Sequence, residues 1–99
     1  MEDVREVRII GARFASQETL HAYLKKKLGF PNYYGSNLSA LADCLSEISI
    51  PTKITISVSD AELEPGMKAY ALRFAQVCAR EALVNENLSL IVEHPQPVP

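Results

Sequence analysis

Three short runs of β-branched and apolar residues, set far apart and separated by segments with helical spacing, constrain this chain most. Val4 to Gly11 (VREVRIIG) carries apolar side chains at Val4, Val7, Ile9 and Ile10 with no breaker before the glycine, which predicts a strand. Thr52 to Ser59 (TKITISVS) alternates Ile54, Ile56 and Val58 with polar residues, so one of its faces is expected to be more buried than the other. Leu88 to Glu93 (LSLIVE) predicts the third strand. Strands joined through helical crossovers lie parallel, because a hairpin cannot connect them. The expected architecture is a single small α/β domain, a three-stranded parallel sheet packed with three or four helices.

The helices have their own punctuation. Ser16 is placed to cap a first helix in which Leu20, Tyr23, Leu24 and Leu28 recur at helical spacing, and Gly29 stops it. Lys25, Lys26 and Lys27 sit in its last turn, where the helix dipole favours cations. A second helix starts after Ser36 or Asn37 and turns Leu38, Leu41, Leu45 and Ile48 to the core. The segment DAELEPG reads as a turn or one short helical turn. A third helix runs from about Pro65 to Leu83, with Met67, Tyr70, Ala71, Phe74, Val77, Cys78 and Ala82 as its apolar stripe. The closing HPQPVP cannot continue a central strand, so residues 1–94 are expected to form the domain and residues 95–99 a mobile proline-rich tail.

Composition narrows the function. A net charge of −2 lacks the basic stripe of a nucleic-acid binder, so direct nucleic-acid contact is not expected. No apolar run reaches the length of a membrane span and no export signal is visible, which points to the cytoplasm and to reduced thiols at Cys44 and Cys78. Neither His21 nor His94 has metal-ligand spacing around it, no glycine-rich nucleotide cradle occurs, and no serine lies in a nucleophile elbow. The chain is therefore read as a non-enzyme without metal or cofactor.

One stretch stands apart. In FPNYYGSNLSALADCLSEI (Phe30 to Ile48), Ser39, Asp43 and Ser46 project together opposite the leucines, with Glu47 beside them and Ala42 at the edge. No lysine or arginine occurs between Lys27 and Lys53, so the two acids have no counterion within the segment. Such a face is either ordinary solvated helix or a contact surface for a cationic partner. Tyr33 and Tyr34 precede it in a loop too short to bury both rings, which suggests one ring for the core and one for a partner. Gly35 is expected to supply a positive φ there.

The pattern apolar-Pro-x-Tyr-Tyr-Gly-x-Asn-Leu-x-Ala-Leu-x-Asp-Cys-Leu over residues 30–45 closely resembles the central motif of the barstar family, intracellular inhibitors of barnase-type ribonucleases. Element order agrees over about residues 4 to 93. The resemblance implies that the second helix and the loop before it plug a ribonuclease active site. Asp43 would enter the phosphate site and Tyr33 would pack at the catalytic histidine, with Gly35, Asn37 and Leu38 at or near the contact and Ser46 at its edge. Where barnase-binding relatives carry a second acid this chain has Ser39, where they often carry a tryptophan it has Ala42, and Gln76 is aligned with an interface glutamate. Glu47, one turn after Asp43, is a candidate substitute acid.

The expected function is an intracellular inhibitor or immunity protein whose partner is a basic ribonuclease or a ribonuclease toxin domain, with this chain acting as a monomer. The competing expectation is a barstar-like interaction module for some other basic protein.

Overall fold

The computed structural model describes residues 3–93, and both His94 and the expected tail at 95–99 lie outside them. Strand β1 (Arg5–Ile10) leads through a 3-10 turn at Gly11–Phe14 into helix α1 (Gln17–Leu28). Helix α2 (Leu38–Ser46), strand β2 (Thr52–Ser57), a second 3-10 turn (Asp60–Glu62), helix α3 (Pro65–Val84) and strand β3 (Leu88–Glu93) follow. The elements agree with the expected order. The first two strands end one or two residues earlier than their sequence runs, because Gly11 opens the 3-10 turn and Ser59 accepts the return bond that starts the second one.

All three strands are parallel in the order β1-β2-β3, with Val7 beside Ile54 and Ile54 beside Leu90. A sheet whose strands follow sequence order, joined by right-handed crossovers, carries every helix on one face. That face supplies the core, where Val7, Ile9, Ile54, Ile56 and Leu88 meet Phe14, Leu20, Leu24, Leu41, Leu45 and Phe74. Phe14 and Phe74 pack edge to face at 5.8 Å.

One face of β2 is the more buried, as expected, with Thr52, Ile54 and Ile56 almost wholly covered, but Thr55 and Ser57 on the face away from the helices are buried as well. The central position of β2 is the reason. Arg8 on one neighbour and Glu93 on the other join at 2.9 Å over Ser57, whose hydroxyl also accepts from Arg8 at 3.3 Å. Glu6 and Lys53 pair at 3.2 Å further along the same face. Charged side chains thus roof a face that most parallel sheets cover with helices.

Helix boundaries follow their caps. Ser16 accepts from the Thr19 amide at 3.0 Å, and Gly29 closes α1 at φ 67°, the left-handed conformation that favours glycine. Cys44 is half-buried, Cys78 buried, and neither is in a disulfide. Burial pushes the Cys78 thiol up to about 12, which makes it inert at neutral pH.

Candidate functional site

The loop between α1 and α2 is anchored from below by one tyrosine. Tyr34 is 8% exposed and Tyr33 88%, so one ring belongs to the core and the other to the surface. The Phe30 ring lies 4.8 Å from that of Tyr34, and the Tyr34 amide donates to the Pro31 carbonyl at 2.9 Å. Beneath the loop, fully buried His21 bridges two tyrosine hydroxyls: its Nδ1 lies 2.5 Å from Tyr34 Oη and its Nε2 2.6 Å from Tyr70 Oη. A neutral imidazole has one N–H donor and one acceptor nitrogen, so both bonds are satisfied when one tyrosine donates and the other accepts. Burial lowers the His21 pKa and raises those of both tyrosines, holding all three neutral. This network ties α1, the loop and α3 together. Sequence reading missed it, although His21 lies on the same stripe as Leu24 and Leu28.

The loop then turns sharply. The expected positive φ at Gly35 is corrected: Ser36, at φ 54°, makes the left-handed turn. Gly35 is there for space, since a Cβ on it would meet Ala40 Cβ at 3.3 Å and Asn37 Nδ2 at 3.2 Å. Because a serine bears strain in that region that glycine does not, Ser36→Gly is expected to change stability by no more than about 1 kcal/mol, in the stabilising direction, as read by urea melts.

Of the two expected candidates, Ser36 and Asn37, it is Asn37 that caps α2. Its Oδ1 accepts from the Ala40 amide at 2.8 Å and its Nδ2 donates to the Gly35 carbonyl at 3.3 Å. Asn37→Ala should cost about 1 kcal/mol of folding stability, whereas Asn37→Asp should retain most of it, as measured by thermal unfolding.

Helix α2 buries Leu41 and Leu45 completely, with Ile48 buried just beyond it and Leu38 half-buried. Ser39, Asp43, Ser46 and Glu47 are exposed, and Ala42 is half-buried at the edge. The Ser46 hydroxyl donates to the Asp43 carbonyl at 2.6 Å. Among the described residues no cation lies within salt-bridge distance of Asp43 or Glu47. From the α3–β3 connection, Asn85 donates to the Leu45 and Ile48 carbonyls at 2.9 and 3.0 Å, fixing the C-terminal end of α2. Both ends of the helix are therefore held, and its polar face is a rigid platform.

The structure brings Gly35, Asn37, Leu38, Ser39, Ala42, Asp43, Ser46 and Glu47 together on α2 and its approach, with Tyr33 exposed in the loop that precedes them. Gln76 is different. It lies two residues after core-facing Phe74 on α3, is exposed, and projects away from the sheet. No group of three or more potential metal ligands occurs among the described residues, and no helix among them is long and apolar enough to cross a membrane.

A parallel sheet with helices on one side, presenting a doubly anchored acidic helix after an exposed tyrosine, defines a small α/β domain with one exposed acidic helix face. Residues 4–92 match the sequence profile of the barstar family, described as barnase inhibitor. The chain belongs to the barstar family. It is also 54% identical over 43 residues to a Bacillus subtilis (strain 168) protein named "Putative ribonuclease inhibitor YrdF". The matched stretch covers 43% of this chain and 47% of that protein, so the likeness spans about half of the relative's length.

Proposed function

We propose that this protein is an intracellular inhibitor or immunity protein of a barnase-type ribonuclease, its target either a secreted ribonuclease or a ribonuclease toxin domain. It blocks the active site with residues 33–47, and Asp43 takes the place of the RNA phosphate. The observation that carries this reading is Asp43 itself: an exposed carboxylate on a rigid helix face, without a counterion in the described residues, beside exposed Tyr33. A ribonuclease holds the scissile phosphate with arginine, lysine and histidine donors, and a preorganised carboxylate meets the same donors without being cleavable. Opposite fields also speed capture of the enzyme before it reaches RNA. The chain would act as a monomer in the cytoplasm, without contacting nucleic acid.

A second reading, a module that binds some other basic protein, draws on Ser39, which leaves α2 one acid poorer than barnase-binding relatives are by resemblance. Co-purification from the host followed by RNA-cleavage assay separates the two. The bound protein should be a ribonuclease whose activity falls stoichiometrically as this chain is added. A bound protein without nuclease activity, or cleavage indifferent to this chain, would establish the second reading.

A further inference from the structure

We propose that Arg73 and Arg80 on α3 make the contact surface bipolar. They would select a partner that presents carboxylates beside the cationic centre receiving Asp43. The proposal rests on the reading of α2 as the contacting helix and specifies what its partner must look like.

Contacts at both ends place the two helices side by side. Near the start of α2, Tyr70 is joined through His21 to Tyr34, and the Arg73 guanidinium lies 5.7 Å from the centre of the Tyr70 ring. Near its end, Val84 lines one cavity with Ser46 and Ile48, and Asn85 holds the Leu45 and Ile48 carbonyls. At about 100° per residue, Arg73, Val77, Arg80 and Val84 form a single stripe along α3. The opposite flank belongs elsewhere: Lys68, Ala71 and Ala75 line a cavity with Phe14 and Val92. Arg73 and Arg80 therefore stand on the flank turned toward α2.

The facing flank of α2 is assigned in the same way. Ser46 shares its cavity with Val84, whereas Cys44 and Glu47 line a separate one with Arg5 and Leu28. Ser39 and Ala42 share the Ser46 flank by helical spacing. Along its length the boundary between the helices is thus small neutral residues from α2 and guanidinium groups from α3, with Glu86 joining Ser46 and Val84 at its far end, and Asp43 lies just outward of it. Both arginines are exposed, and among the described residues neither has a carboxylate within salt-bridge distance.

A nuclease surface that is basic throughout would meet Asp43 favourably and the arginines unfavourably. A partner with an acidic rim on the α3 side would satisfy both, since the planar guanidinium fork fits a carboxylate bidentately. Repulsion built into a surface excludes wrong partners as effectively as attraction recruits the right one. Arg73 and Arg80 are accordingly specificity-determining residues, and Asp43 supplies the common attraction.

Barnase serves as the basic probe. Binding and inhibition are measured for the wild type, Asp43→Ala, the pair Arg73→Glu with Arg80→Glu, and the triple variant, with circular dichroism confirming that each is folded. The arginine pair is expected to raise affinity for barnase by about tenfold or more, chiefly through a faster association rate that salt suppresses. Asp43→Ala should abolish most binding in either background. If the pair binds no tighter than wild type while Asp43→Ala still weakens the complex, the arginines lie outside the contact and the inference is wrong. If no variant binds, removing the arginines has not admitted a basic partner and the inference is likewise wrong; if binding is seen and Asp43→Ala changes nothing in either background, the reading of α2 fails and takes the inference with it.

Discussion

Asp43→Ala is expected to weaken binding to the cognate ribonuclease by about 2–5 kcal/mol, the range for truncating one member of a desolvated charge pair. That range is the general one for charged interfaces; close charge pairs between barnase and barstar themselves couple by about 1.5–7 kcal/mol. The same substitution should leave folding within about 0.5 kcal/mol of wild type, because the carboxylate is exposed and makes no salt bridge among the described residues. The contrast between binding and stability is the informative feature. Titration calorimetry together with a urea melt reads it directly. Equal affinity, or a loss of fold, would show that the acid is structural.

His21→Leu is expected to produce the largest loss of stability, about 2–5 kcal/mol, because it strands the buried hydroxyls of Tyr34 and Tyr70. For a domain whose total stability is about 5–15 kcal/mol, that is a large share. Removing the stranded hydroxyls as well, with Tyr34→Phe and Tyr70→Phe, should recover much of the loss, since an apolar core without orphaned groups can approach neutrality. A urea melt showing less than about 1 kcal/mol lost in the single variant would mean that the two hydroxyls find other partners.

Stability should also carry a signature in pH. Burial holds the His21 pKa below 6.5, so the unfolded chain takes up a proton near pH 6.5 that the folded protein refuses. Its contribution is therefore complete above pH 6.5 and declines as pH falls from there toward the lower folded value. His21→Leu should remove this part of the pH dependence and leave the part due to carboxylates. Tyr34 links the network to the loop that presents Tyr33, so acid should loosen the contact surface before the sheet. Amide exchange of residues 30–37 against that of β2 would measure the order of events.

Much of this protein was legible from local chemistry. Ser16, Gly29, Asn37 and Pro65 mark helix ends because a cap is a short-range event: a side chain or φ value satisfies backbone groups three or four residues away. The leucines of α2 and the stripe of α3 declared which faces are buried, since helical period and burial are read from the same residues. Those two features put Asp43 and Glu47 on an exposed face, and with the three β-branched runs they set the strand–helix–helix–strand–helix–strand order.

The tertiary structure decided what depends on groups distant in sequence. His21 became a structural hub only when Tyr34, 13 residues away, and Tyr70, 49 residues away, closed around it. Thr55 and Ser57 are buried because β2 is the central strand, and over Ser57 Arg8 and Glu93, 85 residues apart, meet. The division of labour between Gly35 and Ser36 followed from the nearness of Ala40, a packing constraint that turn propensity does not encode. Above all, the sequence determined that α2 carries an acid without a local counterion. Which element packs beside that helix was set by the tertiary structure, which lays α3 against α2, because neighbours across two helices are fixed by packing and not by spacing along the chain.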